Sequence, residues 1–307
     1  MRVAFLVSAR ERGAFVVSEI VAGHAARLRT DHGLDVVLLG PGDDATAGSE
    51  RFDVAVATWW DAAARLASTP ALRAARLVLT MEDRLYEPGS PEAAAAAASH
   101  ELGLPSITGA RWIADELEVL TEGPVHYVRH GIDKTAFAVP DTVETAPGGP
   151  LRVLITGDPH LPRDGVADAR AAVAAMHLPH EVEVLADGGP LDAAGRAERY
   201  DGADVVLSLV RVAGMATEPL EGFHRGATCV TTAVTGHEEY AVDGTNALVT
   251  SWDDERGTAR LLDLLAADRD LLAQLREGAL RTARAWPSEP DSTAMLARAL
   301  RDIAGAA

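Results

Sequence analysis

Short, wholly apolar runs alternate with longer amphipathic stretches from one end of this sequence to the other. That rhythm limits the folds open to it more than any single motif does. Runs of this kind fall at Arg2–Val7, Asp35–Leu39, Asp53–Thr58, Arg76–Thr80, Pro105–Thr108 and Val125–Val128. They are apolar throughout rather than apolar on alternate residues, as strands are when both faces of their sheet are covered. Between them, Val17, Ile20, Val21 and Leu28 recur at helical spacing, and so do Trp112, Ile113, Leu117 and Leu120. Strands separated by helical patterns imply a parallel sheet with crossover helices.

The rhythm breaks once. Asp141–Pro150 is polar and closes on Pro147-Gly148-Gly149-Pro150, which has the composition of a linker. It resumes with strand-like runs at Arg152–Thr156, Glu181–Ala186, Val205–Leu209, Thr228–Thr232 and Ala247–Thr250. At 307 residues the chain has room for two α/β domains. The expected division is residues 1–145, residues 146–285 and a terminal segment 286–307. Leu261–Arg284 is predicted as one helix, Pro287 stops it, and a last helix is predicted from about Asp291.

Charge and composition exclude several function classes. A formal net charge of −18 argues against a nucleic-acid partner and against a polybasic membrane-surface mode. No run approaches the ~20 apolar residues that span a bilayer, and Met1–Val7 lacks the pattern of a signal peptide, so the cytoplasm is the expected compartment. Cys229 is the only cysteine, which removes internal disulfides and cysteine-based zinc sites and leaves a buried thiol in a strand. There is no Gly-x-Gly-x-x-Gly after the first strand and no Walker-type loop. His177 and His180 are separated by Pro179, so a solvated turn is expected there rather than a metal site, and Ala93–Ala98 is expected to be a plain helix.

The most informative stretch runs from Gly214 to Gly226, directly after the strand Val205–Leu209. A glycine there lets backbone amides approach a ligand, and Pro219 suits the first turn of a helix. Free amides in such a turn can bind a diphosphate, and Glu221 could accept from ribose hydroxyls. An ordinary helix with acidic first turns fits the same spacing.

Continued through Thr235–Val249, this stretch resembles the donor half of family 4 glycosyltransferases of the GT-B fold. Four further segments stand in the family's order: Gly33–Val36; Val128-Arg129-His130-Gly131-Ile132-Asp133 with Phe137; Gly157–Gly165; and Trp286 with the helix after it. Met81–Ser90 is similar to a rhamnosyltransferase-like branch. The resemblance spans essentially the whole chain. It implies a GT-B-like α/β fold of two facing Rossmann-like domains, with a C-terminal helix crossing back to the first. It also implies retention of anomeric configuration, no metal, and no cofactor beyond a nucleoside-diphosphate sugar as co-substrate. The expected partners are that donor, on the second domain, and a small-molecule or glycan acceptor on the first.

Carried over residue by residue, the resemblance assigns donor contacts to Arg163, Gly214, Met215, Ala216, Thr217, Leu220 and Glu221. In the family a Glu-x7-Glu pair brackets the donor; here the second is Glu221 and the first falls on Ala213. The family's lysine beside the diphosphate falls on Asp164, which leaves Arg163 as the nearby cation. Glu218 is out of register to replace the missing glutamate and is expected to face solvent. These departures admit a second reading, a non-catalytic nucleotide-sugar-binding protein; a nucleotide-sugar 2-epimerase on the same fold is a third.

In the first domain, Arg10 and Gly13 are expected in the loop after the first strand, as acceptor contacts or plain loop residues. Glu82 and Asp83 follow the fourth strand, where a carboxylate could orient the acceptor hydroxyl or take its proton, or simply cap a helix or form a salt bridge. They are the candidate catalytic residues. Trp59, with Trp60, could offer the acceptor an apolar platform or pack in the core.

Overall fold

The computed structural model describes residues 1–8, 12–44, 51–143, 148–187, 191–234 and 236–305. The chain forms two compact units, Met1–Gly131 with Pro287–Ala307, and Ile132–Trp286. The passage between them comes at Gly131–Ile132, ahead of the polar stretch Asp141–Pro150. The reason is packing: Ile132 and Phe137 are already core residues of the second unit.

The first unit is a six-stranded sheet in the order β2-β1-β3-β4-β5-β6, parallel throughout. Its strands are β1 (Arg2–Leu6), β2 (Asp35–Leu39), β3 (Phe52–Ala57), β4 (Ala71–Leu77), β5 (Ser106–Thr108) and β6 (Val125–Tyr127). The helices are α1 (Arg12–Thr30), α2 (Trp60–Ala63), α3 (Pro91–His100) and α4 (Arg111–Leu120). α3 begins with Ser90 accepting from the Ala93 amide at 3.1 Å and Pro91 in its first turn.

The two-residue period of a strand sorts this sheet's side chains. Val3, Phe5, Val54 and Val56 point to one face, against Val17, Val21, Ala25 and Leu28 of α1. Ala4, Leu6, Ala55 and Ala57 point to the other, smaller cluster. The final helix α10 (Glu289–Gly305) lays Leu296, Leu300 and Ile303 into the first face. Each such side chain contributes about 1.5–3 kcal/mol when fully buried.

The second unit is a five-stranded parallel sheet in the order β11-β10-β9-β7-β8. Its strands are β7 (Leu151–Ile155), β8 (His180–Val184), β9 (Val205–Ser208), β10 (Thr228–Thr232) and β11 (Ala247–Thr250). The helices are α5 (Val166–Ala174), α6 (Ala193–Tyr200), α7 (Glu218–His224), α8 (Glu255–Ala267) and α9 (Arg269–Ala285). Val153, Ile155, Val205, Leu207 and Val230 face α5, α8 and α9, while Leu154, Val206 and Cys229 face α6 and α7. Burial pushes the Cys229 thiol pKa up.

The stretch expected as one helix at Leu261–Arg284 is two. Asp268 ends α8 and caps α9, accepting from the Leu271 amide at 2.9 Å. His177 is highly exposed, lies in the connection between α5 and β8, and pairs with Asp263 of α8 at 3.1 Å, while His180 is the first residue of β8. Among the described residues, no helix is long and apolar enough to cross a membrane.

Candidate functional site

In an open parallel sheet, ligands bind beyond the carboxyl ends of the strands where the strand order reverses. In the second unit that point lies between β7 and β9, since β8 flanks β7 on its other side. The loops that follow β7 and β9 therefore define the candidate site.

The loop after β7 is folded by its own acids. Asp164 accepts from the Asp158 amide at 2.9 Å, and Asp158 accepts from the His160 amide at 2.9 Å. Gly165 then turns into α5 at φ +69°, where an added Cβ would overlap the Leu209 carbonyl. Asp164 is thus the clasp of the loop. Burial raises its pKa, with Arg163 acting against the shift. The Arg163 side chain is about one-third exposed, 4.0 Å from the Asp164 carboxylate.

The loop after β9 carries a second arginine, whose backbone meets the first loop. The Arg211 amide donates to the Arg163 carbonyl at 2.7 Å, which ties the two loops together. The Arg211 side chain pairs with Asp168 of α5 and lies 4.6 Å from the centre of the Trp252 ring.

Gly214 is buried, Met215 packs on the core, and Ala216 and Thr217 are half-buried ahead of α7. Leu220 is fully buried in the core, so only its backbone can serve a ligand. The first turn of α7 carries Glu218 and Glu221. Glu218 is half-buried rather than solvent-facing. Burial raises its pKa, Glu221 and Asp164 add to the shift, and Arg196 opposes it. Glu221 is 7 % exposed and is gripped by Arg196 of α6, Nη2 to Oε1 at 3.0 Å and Nε to Oε2 at 3.4 Å. Its pKa is also raised by burial, against the pull of Arg196.

In the first unit the strand order reverses between β1 and β3. Arg10 lies outside the described residues. Gly13 belongs to the first turn of α1 rather than to the loop before it. Trp59 is 2 % exposed and part of the core, so it offers no open platform. Its neighbour Trp60 is half-buried and donates from its indole N–H to the Tyr86 hydroxyl at 2.7 Å.

Glu82 is sealed inside at 1 % exposure, which removes it from any direct role on a substrate. Burial lifts its pKa to about 8 despite the opposing charge of Arg76. Arg76, also buried, donates to the Ser99 carbonyl and to His100 Nδ1, the latter at 3.1 Å. Because Nδ1 accepts, the imidazole proton sits on Nε2, which faces Asp83 at 3.4 Å. Burial, reinforced by Arg76, depresses the His100 pKa to about 4, so the ring is neutral. Asp83 is the half-buried end of this chain of contacts.

Sequence reasoning missed Arg196, Arg211 and the Arg76–His100 pair. Arg211 left a signal, a charge directly after the buried strand Val205–Ser208. Arg196 left none, because its partner stands 25 residues away on another helix. Among the described residues, no group of three or more His, Cys, Asp or Glu side chains could hold a metal ion.

No protein-family model matches the sequence, and no curated protein sequence matches it. Solved structures are similar over the full chain. Sucrose-phosphate synthase from Thermosynechococcus elongatus superposes with a TM-score of 0.74 at 12% identity, covering 98% of each chain. A glycosyltransferase from Rickettsia africae ESF-5 gives a TM-score of 0.71 at 10% identity, covering 100% of this chain and 99% of the other. HepE of Anabaena, solved in complex with UDP, gives 0.73 at 12% identity, covering 98% and 100%. The likeness establishes a GT-B-like fold.

Proposed function

We propose that this chain transfers a sugar from a nucleoside-diphosphate sugar, with the donor held by the second unit. The observation that carries the reading is the 2.7 Å backbone bond that joins the loops bearing Arg163 and Arg211 at the switch point of the second sheet. Guanidinium groups suit a diphosphate because they bind its oxygens through paired, charge-assisted hydrogen bonds. The structural likeness to HepE, which is bound to UDP, supports the same ligand class.

The reading includes independence of metal, with the arginines and backbone amides offsetting the leaving diphosphate's charge. It also includes retention of configuration, as expected of a family 4 enzyme of the rhamnosyltransferase-like branch. The acceptor belongs to the first unit, on the loops after β1 and β3, with Asp83 the carboxylate nearest a catalytic role. The donor sugar is a deoxyhexose. Alanine at 213 accepts no hydrogen bond, and each unmet hydroxyl in a desolvated pocket costs about 1–3 kcal/mol.

A panel of nucleosides, nucleoside diphosphates and nucleotide sugars, tested by thermal shift and calorimetry, examines the reading. Arg163→Ala and Arg211→Ala should each weaken diphosphates by about tenfold or more, about 1.4 kcal/mol, and leave nucleosides unchanged. Equal losses for both ligand classes would refute the placement of the diphosphate. Asp164 and Glu218, acids at the same place, favour a second reading in which the chain binds a nucleotide sugar without turning it over. Tight donor binding with no release of nucleoside diphosphate over long incubation would select it.

A further inference from the structure

Arg196 is held on several sides. Its helix α6 is capped by Asp192, which accepts from the Gly195 amide at 2.8 Å. The guanidinium lies 5.7 Å from the centre of the Phe137 ring, and Phe137 meets Tyr200, one helical turn beyond Arg196, edge-on at 6.1 Å. From that seat it reaches both oxygens of Glu221, at 3.0 and 3.4 Å. Among the described residues it is the one cation acting on both Glu218 and Glu221 in the direction of ionisation.

A carboxylate has about four lone-pair directions, and a two-pronged guanidinium contact uses one on each oxygen. The remaining lone pairs, which the Tyr200 hydroxyl also approaches, are already oriented, and a vicinal diol presents two O–H donors at matching spacing. Without Arg196 the Glu221 carboxylate would lose both of these hydrogen bonds, and its burial would favour the neutral acid, a poorer acceptor.

We propose that Arg196 is a positioning residue for nucleotide recognition, holding the Glu221 carboxylate in place to accept from the ribose hydroxyls of a nucleoside diphosphate. The inference rests on the nucleotide reading given above and assigns Arg196 no contact with the ligand.

The test compares ligands that differ only at the ribose. UDP, GDP, ADP, CDP and dTDP are screened by thermal shift. The tightest binder and its 2′,3′-dideoxy form are then titrated by calorimetry into wild type, Arg196→Gln and Arg196→Lys. Wild type should prefer the hydroxylated nucleotide by about tenfold or more, about 1.4 kcal/mol. Arg196→Gln should lose that preference while its affinity for the dideoxy form stays within about twofold of wild type. Arg196→Lys keeps the countercharge without the fork, so it should recover part of the preference, and it carries the test if the glutamine variant fails to fold. Retention of the full preference in Arg196→Gln, or equal losses for both ligands, would overturn the inference and leave the nucleotide reading standing. If wild type binds no nucleoside diphosphate, the nucleotide reading itself falls and takes this inference with it.

Discussion

Replacing Glu82 by glutamine should make the protein more stable than wild type, and increasingly so as the pH rises. The unfolded chain releases the Glu82 proton near pH 4.5, whereas the folded protein keeps it to about pH 8. Within that window the native state holds a proton that the unfolded state has lost, so Glu82 lowers stability with rising pH. The slope for one proton is about 1.4 kcal/mol per pH unit. Glutamine is nearly the same size and titrates in neither state. The stability of Glu82→Gln relative to wild type should therefore climb by about 3 kcal/mol from pH 5 to 7 and level off above about pH 8. Urea unfolding at fixed pH steps, followed by tryptophan fluorescence, measures it, because Trp59 and Trp60 belong to the same unit. Four histidines, His100 and His224 buried and His24 and His130 half-buried, are each depressed to about 4 and destabilise both proteins as pH falls from about 6.5. They cancel in the difference. A difference that stays flat with pH would mean that Arg76 keeps Glu82 ionised in the fold, and the burial argument would be wrong.

Three further outcomes are expected. Nucleotide binding and any transfer activity should persist in excess chelator, measured by calorimetry and by product analysis; a strict divalent-ion requirement would refute neutralisation by arginine alone. Ala213→Glu should shift preference toward fully hydroxylated hexose donors, whereas a wild-type preference for glucose donors by about tenfold, about 1.4 kcal/mol, would exclude the deoxyhexose assignment. Leu300→Ala, at a fully buried position of α10, should destabilise the first unit by about 2–5 kcal/mol in denaturant titrations.

Strands were the most legible part of the fold. A strand buried on both faces writes itself as a continuous apolar run, and Asp35–Leu39, Thr228–Thr232 and Ala247–Thr250 are strands with those very limits. β4 was less legible because it begins at Ala71, and its first residues, Leu72 and Arg73, are exposed and break the apolar run. The split between α8 and α9 escaped notice for a different reason. Asp268 is a weak helix former that also occurs inside helices, and its capping bond to Leu271 shows that the backbone leaves the helix there.

The candidate site was legible where function is carried by the local chain and opaque where it depends on tertiary pairing. Gly157–Gly165, singled out in the sequence by resemblance, is the loop that follows β7 and leads into α5. Asp164 looked anomalous for as long as its only visible neighbour was the imagined diphosphate. The structure gives it a partner, the Asp158 amide, and the anomaly becomes a loop clasp. Glu82 and Glu221 were both read as possible substrate-facing carboxylates, and both are buried beside an arginine remote in sequence. In each case burial raises the cost of the charge and a guanidinium lowers it, and the balance differs with the contact. Arg196 meets Glu221 through two hydrogen bonds, a geometry that favours the anion. Arg76 spends its hydrogen bonds on Ser99 and His100, and Glu82 is left to stay protonated near neutral pH. Two glutamates that look alike in the sequence thereby end in different surroundings, Glu221 with both oxygens bonded to a guanidinium and Glu82 holding a proton inside the fold.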